Sequence, residues 1–451
     1  MPQAIAKKDH LLSYLLIIVF MGLFGLWIKG IEIETGRQQA GLIIFSLGFV
    51  MLSAYVIAQI VKIAKLPLIT GYIIAGILAG PYVSGFLTVE MVERLRLIDD
   101  LALSFIALMA GAELRLSSLK LRGKSIALNI LLISFCVFSL VVLLMLYAGN
   151  HFNVTSNLEP IYLLVFAILL GVICIARSPS SAIAIIDEVR ADGPFTSTVL
   201  GVTIVMDVLI IIFFTFAMAI SRIIVTPGGV INIWLIVVLV GEIFITFLIG
   251  AILGKVISIY TDRVGRDFLL FLLFIAFGVT RISLWLNDYM IVHFKMSLYL
   301  EPLLICMTAG FFVQNFSRFG TYFVDSLRRM SLLIYALFFS LAGASLSFES
   351  LAVCWPLALT LVLVRATGIF GGTWVAGKIC HDPPVFNQNA WMSYLTQAGV
   401  AIGLAVLAAR QFPEIGDHLN TVVLAIIAVN QIIGPITFKM ALNRVGESGK
   451  R

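Results

Sequence analysis

Long apolar runs separated by short polar turns set the pattern of this chain. Fourteen such runs fall near 11–29, 40–62, 67–86, 97–114, 125–148, 160–188, 195–221, 231–257, 267–286, 298–315, 329–346, 351–377, 388–409 and 419–441. A run of about 20 residues crosses a bilayer as a helix, and a helix satisfies its own backbone groups where no water is present to do so. The pattern predicts an all-α polytopic membrane protein with about 14 transmembrane helices. The first run follows Lys7 and Lys8 and is longer than a signal-peptide core. Trp27-Ile28-Lys29-Gly30-Ile31-Glu32 is a poor small-residue cleavage site, so that run reads as a retained helix.

Charge tests the count. With the N-terminus in the cytoplasm and alternating spans, the inner segments hold twenty Lys and Arg and the outer ones seven. Arg177, Arg281 and Arg365 make up the remaining three of thirty, within the runs. That asymmetry supports cytoplasmic N- and C-termini; a bacterial inner membrane is the expected location. Arg281, near the outer end of its run, is expected to snorkel. Composition agrees, with 61% hydrophobic and 12% charged residues, against about 25% charged in soluble domains. A soluble enzyme is excluded, and the net charge of +6 reflects loop bias rather than nucleic-acid binding. The five cysteines are scattered without a Cys-x-x-Cys pair, and the five histidines lack metal-ligand spacing. No resident cofactor or metal, phosphate-binding loop or hydrolytic triad is expected.

The two halves echo one another. Ala110-Gly-Ala-Glu-Leu-Arg-Leu-Ser-Ser-Leu119 matches Ala342-Gly-Ala-Ser-Leu-Ser-Phe-Glu-Ser-Leu351 at six of ten positions. A weaker echo links Ala75-Gly-Ile-Leu-Ala-Gly-Pro81 with Ala309-Gly-Phe-Phe-Val-Gln-Asn315. Both map one helix onto another seven places later, and an odd shift places the halves in opposite orientations. The expected organisation is an extra N-terminal helix at 1–39, a first repeat at 40–222, a linker helix at 223–258 and a second repeat at 259–451, with no soluble regulatory domain. Inverted repeats are a mark of secondary transporters.

The same shift pairs Ala176-Arg-Ser-Pro-Ser-Ser-Ala182 with Thr396-Gln-Ala-Gly-Val-Ala-Ile-Gly403. Pro179 removes a backbone donor, flanking serines supply substitutes, and Gly399 interrupts the second segment. Each alone reads as an ordinary kink. Paired at equivalent positions, they point to a midplane binding site. Asp207 lies alone in Leu200-Gly-Val-Thr-Ile-Val-Met-Asp-Val-Leu-Ile-Ile-Ile-Phe-Phe214. A carboxylate there costs roughly 2.5–3.5 kcal/mol or more in lipid and faces a protein interior or a wet cavity. It suits competition between a proton and a cation; the alternative is a structural acid paired with a buried base. Glu242 and Glu113 are secondary candidates. A structural pair is the rival reading of the first, and a solvated or capping acid that of the second.

These residues resemble the membrane domain of the cation:proton antiporter-2 family, which includes Kef-type potassium efflux proteins and bacterial sodium/proton antiporters. The likeness rests on Gly71-Tyr-Ile-Ile-Ala-Gly-Ile-Leu-Ala-Gly-Pro81, Ala110-Gly-Ala-Glu-Leu114, Ser178-Pro-Ser-Ser181, Gly193-Pro-Phe195, Asp207, Thr396-Gln-Ala-Gly399 and Asn430-Gln-Ile-Ile-Gly-Pro435. It implies a homodimer of a fold in which two broken helices cross, with a core bundle moving elevator-fashion. By resemblance Asp207 binds ion and proton, Ser178, Ser180, Thr396 and Gln397 complete the site, and Arg365 is the family's basic residue beside it. Two positions depart from the pattern. Met206 stands where many members carry a carboxylate or amide, which implies electroneutral exchange of one proton for one Na+ or K+. Arg177 stands where many have an uncharged residue, and either compensates charge at a half-helix end or pairs with Asp207 in the cation's place. It keeps open an anion-coupled substrate and a non-transporting membrane subunit or sensor; a potassium efflux pathway gated by a separate regulatory partner is the other rival.

Overall fold

In the computed structural model, the structure describes residues 36–225, 233–264, 267–294, 300, 302–346, 348–397 and 399–450. The apolar runs become helices: α1 (Gly36–Ile63), α2 (Leu68–Ala79), the short α3 (Val89–Arg94), α4 (Arg96–Glu113), α5 (Leu116–Ala148), α6 (Pro160–Ile173), α7 (Pro179–Val189) and α8 (Pro194–Val225). They continue as α9 (Ile233–Arg263), α10 (Phe268–Phe294), α11 (Pro302–Phe316), α12 (Gly320–Ala344), α13 (Phe348–Cys380), α14 (Pro384–Asn389), α15 (Gly399–Gln411) and α16 (Pro413–Val445). The extra helix expected at 11–29 lies outside the described residues. Among the described residues, seven helices are long and apolar enough to cross a membrane, and six apolar helices are shorter. Two of the shorter ones are halves of broken spans. The run at 160–188 divides into α6 and α7 at Cys174–Ser178. The run at 388–409 divides into α14, a 3-10 turn at Ala390–Tyr394 and α15.

Two boundaries differ from expectation by about two and a half turns: α5 begins at Leu116 rather than near 125, and α12 starts well before 329. The run at 329–346 predicts a helix start near its apolar edge, yet α12 begins at Gly320. Its polar first turns are held by ion pairs: Arg328 Nη2 donates to Glu113 Oε1 at 2.9 Å, and Arg328 Nε lies 3.8 Å from Asp187 Oδ1. A hydropathy window does not see such pairs.

The chain forms two compact units, residues 1–103 with 330–346, and 104–329 with 347–451. In the first, α1 packs along α2, and Val50, Ala79, Leu87, Leu95, Leu341 and Ala344 form a buried cluster. Gly76 and Gly343 bring α2 and α12 into backbone contact, since a Cβ at either would overlap the carbonyl oxygen of Ser340 or Ile73. In the second unit, Gly111 and Gly310 do the same for α4 and α11, against the carbonyl oxygens of Met307 and Leu108. These four glycines belong to the two sequence echoes, Ala75-Gly76 with Ala309-Gly310 and Ala110-Gly111 with Ala342-Gly343. The repeated motif is a helix contact made twice. The rest of the second unit is a bundle in which α13 lies along α5 and α16, and α6 and α8 complete the packing.

Candidate functional site

Both breaks lie in this second unit, and they touch. Ser178 N donates to Thr396 O at 3.2 Å. Gln397 Nε2 donates to Ile173 O at 3.1 Å, and Asn430 Nδ2 of α16 donates to Gln397 Oε1 at 3.0 Å. Thr396 packs against the backbone of Gly434, where a larger residue has no space. The second break is thus held from behind by α16 and in front by the first break.

A broken helix leaves carbonyls at its C-terminal end without intrahelical partners. Arg365, fully buried on α13, supplies the missing donors to both breaks. Nε donates to Cys174 O (2.7 Å), Nη2 to Ala176 O (3.1 Å) and Tyr394 O (3.2 Å), and Nη1 to Leu395 O (2.9 Å). Two of these carbonyls belong to the first break and two to the second. The planar fork of a guanidinium serves such divergent acceptors, which a lysine ammonium does not.

Pro179 opens α7 at its first position, where a missing N–H costs nothing. Ser178 is the N-cap, its Oγ accepting from Ser181 N at 3.2 Å and lying 3.0 Å from Ser180 Oγ and 2.9 Å from Ser181 Oγ. Ser178, Ser180, Thr396 and Gln397 are all buried, so four of the expected site residues converge at the crossing, and Gly399 begins α15. Arg177 precedes the N-cap of α7 and so sits by the positive end of a helix dipole rather than the negative end that would favour it. Its guanidinium lies over the Tyr394 ring, 4.4 Å from the centroid. None of its guanidinium nitrogens has a hydrogen-bond partner among the described residues, so it is not bonded to Asp207. Tyr394, at the end of the 3-10 turn, was not legible as a site residue; an aromatic two positions before a polar break is its only signal. It also lines, with Asn129, Thr373, Asp382 and Asn387, a cavity of about 20 Å³, room for about one water.

Asp207 is half-buried on α8, the helix that packs on α5, α6, α7 and the 3-10 turn. The start of α8 is anchored by another carboxylate that sequence reading missed. Glu447, 3% exposed, accepts from Phe195 N (2.9 Å), Thr196 N (2.7 Å) and Thr196 Oγ1 (2.7 Å). Gly193 (φ +157°) leaves no room for a Cβ beside it. Its sequence signal is faint: an acid after the glycine that ends α16. Glu113 is the largely buried partner of Arg328, and Glu242 is half-buried on α9, its carbonyl accepting from Thr246 Oγ1. Neither lies in the crossing.

An all-helical membrane bundle whose two halves each carry a broken helix, meeting at a polar crossing, defines the class: a secondary-transporter fold. Residues 48–444 match the model of the family described as sodium/hydrogen exchanger, transmembrane. The chain belongs to that family, an integral membrane family of transporters and not of enzymes. The match does not single out the Kef-type branch. Two structures of the sodium proton antiporter MjNhaP1 from Methanocaldococcus jannaschii share the fold. One, determined at pH 8, has a TM-score of 0.62 at 18% identity over 91% of this chain and 99% of that one. The other, from electron microscopy, has a TM-score of 0.65 at 17% identity over 91% and 96%. No curated protein matches the sequence.

Proposed function

We propose that this protein is a secondary antiporter that exchanges a monovalent cation, sodium or potassium, for a proton, with Asp207 as the shared carboxylate. The observation that carries the reading is the placement of Asp207. It is an acid on a helix packed against both breaks of a family fold built for exchange. A proton and a cation compete for the same oxygens, so rising pH removes the proton and favours the cation. Ser178, Ser180, Thr396 and Gln397 supply polar oxygens at the crossing. Arg365 is committed to the carbonyls and acts as the positioning residue. The structures of MjNhaP1, a sodium proton antiporter, favour sodium as the first cation to test.

With one carboxylate, the exchange is one proton for one cation and electroneutral. The protein works as a homodimer with both termini in the cytoplasm of a bacterial inner membrane. The bundle that holds both breaks moves as a body in the elevator manner.

The test is a pH dye inside proteoliposomes challenged with sodium, potassium or lithium. Cation-evoked pH change in wild type, lost in Asp207→Asn, supports the reading and names the ion. A current that scales with turnover under a membrane potential refutes electroneutrality. Silence from folded wild type beside activity in Arg177→Thr favours the gated or non-transporting readings, because Arg177 would then be what blocks the site.

A further inference from the structure

Arg177 is the buried charge for which the exchange mechanism has no use. It is 3% exposed, and Nε, Nη1 and Nη2 have no hydrogen-bond partner among the described residues. The Tyr394 ring covers one face of the guanidinium, an attractive contact. The N–H donors, however, lie in the guanidinium plane, so stacking uses none of them. A guanidinium keeps its proton in proteins, which rules out escape by neutralisation. A buried cation with unmet donors is among the costliest groups a fold can hold.

Its surroundings add positive potential. Arg177 directly precedes the N-cap of α7, an eleven-residue helix whose positive end faces the break. Helix N-termini attract anions through this dipole and their free N–H groups. Arg365 is a second buried guanidinium in the same crossing, and all its hydrogen bonds run to uncharged carbonyls. Two fixed cations and a helix N-terminus therefore meet in a low-dielectric interior, and neither cation has a described carboxylate partner.

We propose that the crossing binds a small monovalent anion, of the size of chloride, on the in-plane donors of Arg177 beside the N-terminus of α7. Burial between helices favours a small anion over a bulky organic one. The anion cancels the charge of Arg177, and so lets a cation approach Asp207 without meeting two uncompensated guanidinium groups. This goes beyond the antiport reading and is testable without it.

The experiment uses the full chain in detergent at fixed sodium and ionic strength, with chloride exchanged for gluconate. Radiolabelled chloride binding and thermal stability are the readouts. Wild type is expected to bind one saturable chloride per chain and to melt higher in chloride than in gluconate. Arg177→Gln loses both effects. Arg177→Lys keeps the charge without the fork and binds more weakly. Tyr394→Leu removes the ring but none of the donors of Arg177, and retains binding. Absence of saturable chloride on wild type overturns the proposal whether or not any variant folds. Chloride binding that survives in Arg177→Gln overturns it too. A third refuting result is chloride bound only by Asp207→Asn, which would make Asp207 the partner of Arg177 in another conformer. A chain that binds chloride yet exchanges nothing in vesicles refutes antiport alone. Exchange that is equal in chloride and gluconate, with no bound chloride, refutes the anion alone.

Discussion

Replacing Arg365 with leucine removes a side chain that serves both breaks. Four carbonyls lose their donors: Cys174, Ala176, Tyr394 and Leu395. Hydrogen bonds from a charged donor contribute about 1.5–3 kcal/mol each in proteins generally, and polar contacts inside membrane bundles average nearer 0.6 kcal/mol. Four of them sum to roughly 2–12 kcal/mol. Against this stands the relief of burying a charge, several kcal/mol. What is left behind is four neutral carbonyls and no charge, so the net expectation is a loss on the order of a few kcal/mol. Arg365→Lys keeps the charge but reaches fewer acceptors, and should fall between wild type and leucine. The assay is the fraction of detergent-solubilised protein that stays monodisperse after heating, read as an apparent Tm for all three proteins. Wild type above lysine above leucine is the expected order. Leucine equal to wild type would refute the idea that the breaks depend on this arginine. Lysine equal to wild type would refute the argument from the guanidinium fork.

Four further changes have distinct expected outcomes. Asp207→Asn should abolish cation-evoked pH change in vesicles while leaving apparent Tm the same or higher, because a half-buried charge becomes neutral; retained exchange would exclude Asp207 as the shared carboxylate. Glu447→Ala strips three hydrogen bonds from the start of α8 and should cost about 1–3 kcal/mol, seen as a lower Tm and faster proteolysis at the C-terminal end; an unchanged Tm would refute the anchor. Gly310→Val forces a side chain into the carbonyl oxygen of Leu108 and should destabilise by about 3 kcal/mol or more. Gly278→Ala on α10 meets nothing within 4 Å and should be neutral or stabilise by up to about 1 kcal/mol; thermal stability separates the two.

The spans were legible because hydropathy over about 20 residues is a local property. The breaks were legible because Pro179 and the polar Thr396-Gln397 interrupt otherwise apolar runs. The echo around Gly111 and Gly343 was visible as a repeat, although its meaning, a backbone contact between helices, required the fold. Pairs far apart in the chain stayed hidden. Glu447 meets Phe195 and Thr196 across about 250 residues. Arg328 meets Glu113 from a stretch too polar to look helical. By resemblance Arg365 read as the basic residue beside Asp207, whereas its hydrogen bonds run to the backbone of both breaks. No sequence pattern distinguishes an arginine facing an acid from one facing four carbonyls.

That difference bears on how the site would change its access under the proposed antiport. Suppose the two breaks opened one after the other, as separate gates. Arg365 would then have to release two carbonyls of one break while keeping two of the other, and leave part of its fork unmet in a dry interior at each step. Ser178 N and Thr396 O would part at the same moment, and so would Gln397 and Ile173 O. Moving both breaks together preserves every one of these bonds. Glu447 adds to the argument from the far end of the chain, because it ties the end of α16 to the start of α8. The hydrogen bonds of this bundle therefore favour displacement of α5–α8 and α13–α16 as one body over local gating within it.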